Sequence, residues 1–366
     1  MTGRLLAAAV LIVGCGIDDR RPDPAQEVVE PAPLAPDPSP PDLIHHRSVA
    51  SGVVDCAVHA GQLFCWGPTV GLPVWPRDEW TFARDRSPVT PVPMQREPRA
   101  VAVGDDHTCV LREDGAVRCS GRDHHDGRLG SEICWLGFAI DHPVSLLAAA
   151  TDIAIDVWLT CALLEDGRVE CWGPPSARSD GICGPRVVEM ASGGELRGCV
   201  RMDAGACVDA SGDVWVWGAP GGRVGTDALR ATRAEGLGPA RDVAVAGEAS
   251  CVIDRAQAVA CTLRGASIPV PFRGKARALD CAGAGCCVIT TDGTLSCWGS
   301  SDLNAAVAGA TDVRVLALSW GTLCWSTGDA HEVWCASRAP STFGTGMRDD
   351  PILPAPEARP IPLSSP

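Results

Sequence analysis

The chain has no tyrosine, five phenylalanines and a single lysine, Lys275, among its 366 residues. Its aromatic bulk therefore comes mostly from twelve tryptophans, and its basic charge is almost wholly arginine. A net charge of −14 argues against the clustered positive stripe that a phosphate backbone requires, so nucleic acid is not an expected partner. Nucleophile and phosphate-loop signatures are also missing. There is no Gly-x-Ser-x-Gly, no His-Glu-x-x-His and no Gly-x4-Gly-Lys-Ser/Thr, and Gly344-Thr345-Gly346 departs from a phosphate loop after three residues. No Cys-x2-Cys or His-x3–5-His spacing points to zinc. These absences remove the anchors for an enzymatic reading, and neither a cofactor nor a metal is expected. The Asp123-His124-His125-Asp126 run could in principle ligate an ion, but it reads more simply as a solvent-facing loop.

What the chain does have is nineteen cysteines. Most of them are mirrored about a turn. Cys109 and Cys119 stand equidistant from Asp114, Cys161 and Cys171 from Asp166, Cys287 and Cys297 from Asp292, and Cys251 and Cys261 from Ala256. Cys56/Cys65 and Cys324/Cys335 straddle Ala60–Gly61 and Asp329–Ala330 in the same way. Two strands folded about a tight turn bring equidistant residues face to face, within disulfide range. Cys134 and Cys183 fall in longer loops and are candidates to pair across neighbouring units. Cys199 with Cys207 and Cys281 with Cys286 are the remaining candidates, and spacing alone leaves the connectivity of these six open.

Cysteines in this number suit an oxidising compartment, and the N-terminus agrees. Met1–Arg4 is a short positive start and Leu5–Val13 an apolar run of nine residues, too short to span a bilayer. Ile12-Val13-Gly14-Cys15 follows and resembles the lipobox of bacterial lipoproteins, which implies lipidation at Cys15. Gly16 follows the cysteine, with aspartate first at 18, so an inner-membrane retention signal is missing and an outer-membrane or cell-surface location is expected. Residues 1–14 are thus read as a signal peptide and 15–42 as a lipidated cysteine with a Pro-rich tether. The propeller described next is assigned to 43–349, and the Pro-rich tail at 350–366 is expected to be disordered.

Aligned on their first cysteines, seven units begin at Cys56, Cys109, Cys161, Cys207, Cys251, Cys287 and Cys324. Their steps of 53, 52, 46, 44, 36 and 37 residues are long enough for one four-stranded blade each. Asp-Gly turns recur where a hairpin needs a positive φ. Trp-Gly closes four units at Trp66, Trp172, Trp217 and Trp298, where an indole can fill the wedge between neighbouring sheets. One hairpin cannot bury its own apolar face, so seven units are expected to close into a ring. The fold class is therefore all-β.

The unit His-Thr-Cys-x-Leu-x-x-Asp-Gly-x-Val-x-Cys-x-Gly at 107–121, between Gly104 and GRDHHDGRLG, resembles the regulator of chromosome condensation repeat. That resemblance implies a seven-bladed β-propeller over about residues 44–345 and groups the chain with the β-lactamase inhibitor protein II superfamily. Unit four departs from the pattern with Val216 at the second cysteine, and unit five lacks both the Asp-Gly turn and the Trp-Gly end. Three roles follow as expectations. The first is a lipid-anchored scaffold at the cell envelope that binds a protein or glycan and touches the membrane through its lipid alone. The second is an inhibitor of a secreted or envelope enzyme. The third, guanine-nucleotide exchange by family analogy, is disfavoured by export. Trp75, Trp80 and Phe82 in the long insert 68–98 are the candidate binding loop.

Overall fold

The computed structural model describes most of residues 49–337 together with 359–361. It leaves undescribed 1–48, 51–54, 60, 68–86, 92–96, 105, 133, 135, 157–158, 174–182, 219–228, 284, 300–303, 306, 320–321, 329–331, 338–358 and 362–366.

The second blade shows how local sequence becomes structure. Strands Pro98–Val103, His107–Arg112, Val117–Arg122 and Phe138–Pro143 form one antiparallel sheet in chain order. Glu113-Asp114-Gly115 turns the middle pair, with Gly115 at φ 79° and the Asp114 carboxylate accepting from the Ala116 N–H at 3.1 Å. That turn fixes the register and sets Cys109 directly opposite Cys119, with their Cα atoms 4.1 Å apart across a disulfide. The same bridge spans the middle strands at Cys56–Cys65, Cys161–Cys171, Cys251–Cys261, Cys287–Cys297 and Cys324–Cys335.

Seven sheets are built this way, and successive blades share apolar clusters. Ala57 of blade 1 packs with Val315, Ala317, Cys324 and Val333 of blade 7, which closes the ring. Blade 4 gains a fifth strand, Glu189–Met190, laid parallel to Arg230–Arg233 on its outer edge. Blade 6 has three strands among the described residues.

Blades 2 to 6 each grip the next through the turn of their hairpin. The Ala150 N–H, where the inner strand of blade 3 begins, donates to the Gly115 carbonyl at 2.9 Å. Cys199 donates to Gly167, Ala240 to Gly212 and Val313 to Gly293 in the same position, at 3.0, 2.8 and 2.9 Å. Blade 5 has no glycine there. Gln257 takes the left-handed conformation instead, at φ 67°, and its carbonyl still accepts from Ala276 at 2.8 Å.

The three remaining bridges are Cys134–Cys183, Cys199–Cys207 and Cys281–Cys286. Cys134–Cys183 joins the outer loops of blades 2 and 3. Cys286 and Cys287 are adjacent on one strand, so their side chains leave opposite faces of the sheet. Cys286 bonds back to the inner strand and Cys287 forward to the third, which ties three strands covalently.

Two expectations change. In unit four the register sets Trp215, not Val216, opposite Cys207. Cys207 bonds Cys199 on the preceding strand, as the spacing of these two cysteines had offered. Within the tail 350–366, residues Arg359–Ile361 form a strand on the outer edge of blade 7, with Pro360 opposite Trp334. An edge position tolerates proline because its missing N–H would have faced solvent, so proline content alone did not decide against a strand there.

Two stability outcomes are expected. Gly115→Ala should cost about 2 kcal/mol or more, since its Cβ would sit 2.6 Å from that of Ala149 at a positive φ, whereas Gln257→Gly should stabilise by about 0.5–1 kcal/mol. Removing Cys134–Cys183, which spans 49 residues, should cost about 4 kcal/mol, against about 2.5–3 for a hairpin bridge of 10. Urea midpoints of the oxidised variants check both.

Candidate functional site

Inner strands in this ring carry small side chains at the axis. Ala50, Ala102, Ala244 and Ala317 each stand opposite the first cysteine of their blade. These side chains do not fill the axis, and a cavity of about 1150 Å³ remains. Its wall takes residues from every blade, including Val103, Asp156, Asp203, Ala246, Asp280 and Leu318. Gly104, Gly205, Gly247 and Gly283, which follow the inner strands, line it at one end. Gly67 and Ser87, which flank the undescribed part of the long insert, pair across blade 1 at that same end.

Carboxylates on the wall also hold the ring. Asp203 of blade 4 accepts from the Val245 N–H of blade 5 at 2.8 Å, and Asp280 of blade 6 from the Leu318 N–H of blade 7 at 2.7 Å. Each also accepts from the N–H of the residue after it. A carboxylate that bridges two blades in this way is a structural fastening, and it gives the cavity a polar lining in fixed orientation.

The loop from 121 to 130 shows the same logic further out. Asp123 is fully buried and its carboxylate accepts from the Leu129 N–H at 3.2 Å. His124 Nε2 lies 2.8 Å from Asp106, and Arg128 pairs with Asp126 at 2.8 Å. Burial pushes the Asp126 carboxyl above its ordinary value, with Arg128 opposing. The run is thus an ion-paired corner in which His124 and His125 face solvent, as its composition suggests, while Asp123 is buried. Trp172 of blade 3 reaches into it, donating its indole N–H to the Arg128 carbonyl at 3.1 Å. His107 is wholly buried at the same seam, with Nε2 2.8 Å from Thr160 Oγ1 of blade 3. Burial lowers its imidazole to about 3, and Arg128 and His124 push the same way.

Two groups of metal-ligand type occur among the described residues, Cys251 with Cys281 and Cys286, and Asp55 with Cys324 and Cys335. Every cysteine in them is in a disulfide, and a bonded sulfur has no thiolate to offer. Cys15, Trp75, Trp80 and Phe82 lie outside the described residues. No helix among the described residues is long and apolar enough to cross a membrane.

A testable consequence follows from His107. The imidazole is neutral in the fold, while the unfolded chain takes up a proton near pH 6.5. Its contribution is therefore complete above pH 6.5 and falls away as the pH drops toward 3, by up to about 1.4 kcal/mol per unit. Asp126 and Glu170, raised by burial, act in the opposite direction. His107→Asn should be less stable at pH 7.5, yet its urea midpoint should fall less between pH 6.5 and 4 than that of the unaltered chain.

Comparison with known proteins agrees with this architecture. The regulator of chromosome condensation (RCC1) repeat matches residues 99–127, which run from the inner strand of blade 2 through its hairpin into the Asp123–Asp126 corner. The structure of Prp20p from Saccharomyces cerevisiae, described with its binding to Gsp1p and histones, is 15% identical with TM-score 0.57, covering 86% of this chain and 87% of that one. Human WBSCR16 is 17% identical with TM-score 0.54, over 72% of this chain and 80% of its own. Yeast RCC1 (Prp20) bound to Kap60 is 14% identical with TM-score 0.52, over 74% and 77%. None of the curated proteins matches in sequence. Blade 2 thus carries a regulator of chromosome condensation repeat, and the chain shares its β-propeller fold with these structures.

Proposed function

We propose that this chain is a lipid-anchored, extracytoplasmic scaffold that captures a protein or glycan partner at the cell envelope and performs no catalysis of its own. The observation that carries the reading is the cysteine chemistry: nine disulfides engage all eighteen cysteines after Cys15. A chain so dependent on bridges needs an oxidising compartment. The short apolar run before Cys15 supplies a route there, and the cysteine itself supplies the anchor.

A β-propeller with the RCC1 repeat is suited to protein binding, and the related yeast protein is described with protein partners. The ring holds loops on a rigid frame, so a partner can be met with little ordering cost at the interface. Trp75, Trp80 and Phe82 lie in the connection between Gly67 and Ser87 and would give such a partner apolar anchors.

Two measurements test the reading. Cys15→Ser should move the chain from the membrane fraction to the soluble extracytoplasmic fraction without changing its urea midpoint, and equal membrane retention would overturn the anchor. Cross-linking of the anchored chain in intact cells should capture an envelope partner, with Trp75→Ala/Trp80→Ala losing capture at unchanged thermal stability. Free thiols on chain taken from cells without reduction would overturn the compartment.

A further inference from the structure

The hairpin bridges leave their sheets on the face turned toward the next blade, so Cys251–Cys261 of blade 5 packs in the seam with blade 6. Blade 6 carries a second bridge on its opposite face. Cys286 stands opposite Trp298 in register, the place that Thr108, Thr160 and Ser250 hold in blades 2, 3 and 5, and it bonds Cys281 on the inner strand. Two disulfides of neighbouring blades therefore meet in one apolar cluster, with Cys286 Sγ 3.7 Å from Cys251 Sγ. The sulfurs are in direct contact.

The four sulfurs differ in what can reach them. Cys281 lines the axial cavity, whereas Cys251 and Cys261 are buried in the seam and Cys261 lies on the third strand, opposite Ile268 of the outer one. Cys281, Cys286, Cys251 and Cys261 thus form a series that runs from the axis toward the rim. A small molecule in the cavity meets only its first member. Disulfides exchange when a thiolate attacks a disulfide sulfur, so a thiolate set free at Cys286 has Cys251 as its immediate target.

We propose that this pair of bridges is a thiol-reactive site, and that its substrate is a low-molecular-weight thiol entering the axial cavity. The thiol loses its proton to water and its sulfur attacks Cys281 Sγ, forming a mixed disulfide as the Cys281–Cys286 bond breaks. Cys286 leaves as a thiolate and attacks Cys251 Sγ, forming Cys251–Cys286 as the Cys251–Cys261 bond breaks. Cys261 leaves as a thiolate and takes a proton from water. Two disulfides and one thiol enter, two disulfides and one thiol result, and nothing is oxidised or reduced overall. The thiol has moved from the axis to the third strand of blade 5, and a bridge between residues 35 apart now ties blade 5 to blade 6. The site rests on the bridges and not on the anchor or the partner.

The test uses the purified, fully oxidised chain, so it is separate from the question of compartment. The folded chain is treated briefly with mercaptoethanol, quenched with iodoacetamide and mapped by mass spectrometry without reduction. A Cys251–Cys286 linkage should appear, with the mercaptoethanol adduct on Cys281 and the alkyl label on Cys261. Label at Cys261 should exceed that at Cys119 and Cys171, which belong to bridges of blades 2 and 3, by about tenfold or more. Cys281→Ser leaves Cys286 as a thiol with no reagent added, and about a tenth or more of its label should then fall on Cys261. The proposal is overturned if mercaptoethanol opens the bridges of blades 2 and 3 as readily, if no Cys251–Cys286 linkage forms, or if the label in Cys281→Ser stays wholly on Cys286. Should Cys281→Ser fail to fold, the map of the unaltered chain decides.

Discussion

The hydrogen bond from the first residue of the inner strand to the carbonyl of the preceding hairpin turn, made at the starts of blades 3 to 7, is the recurring contact between neighbouring blades. It recurs at Gly115, Gly167, Gly212 and Gly293, and it places each new sheet at one height and angle relative to the last. The carbonyl can point outward in this way because the turn residue is left-handed, which is why glycine is favoured there. Gln257 shows the contact to be stricter than the motif. The glycine is lost in blade 5 while the conformation and the hydrogen bond persist. Geometry, not residue identity, is what the ring requires at this point.

Within each blade a second constraint compensates for thin cores. The inner strands bring mainly alanine, valine and leucine to the seams, and the large fillers are few: Trp172, Trp217, Trp298 and Trp325 each serve one cluster. A disulfide across the middle strands holds the hairpin before any such packing exists, because it lowers the entropy of the unfolded chain. Blade 6 carries this furthest, with two bridges on three strands.

Much of the fold was legible in the sequence because a hairpin is local. The mirrored cysteines coincide with the register, since both follow from the position of one turn. The edge strand at Arg359–Ile361 was not legible, as proline content reads the same in a loose tail and in an outer strand. Nor was the burial of Asp123, which is flanked in sequence by Arg122 and His124 while its partners in space are the backbone of Leu129 and Gly137. The cavity was invisible for a similar reason. Its wall draws on inner strands from all seven blades, and no stretch of chain contains it.

The sequence by itself determined the repeat, the strand pairing within each hairpin and the sulfur chemistry, because these are set by spacings of about ten residues around a turn. Tertiary structure decided what faces what across the seams. It made His107 a buried neutral base, turned Asp203 and Asp280 into fastenings between blades, and left the buried Trp217 indole N–H without a partner. The physical reason is that burial and electrostatic partnership depend on distances between residues some forty to fifty positions apart, and closing the ring is what sets those distances.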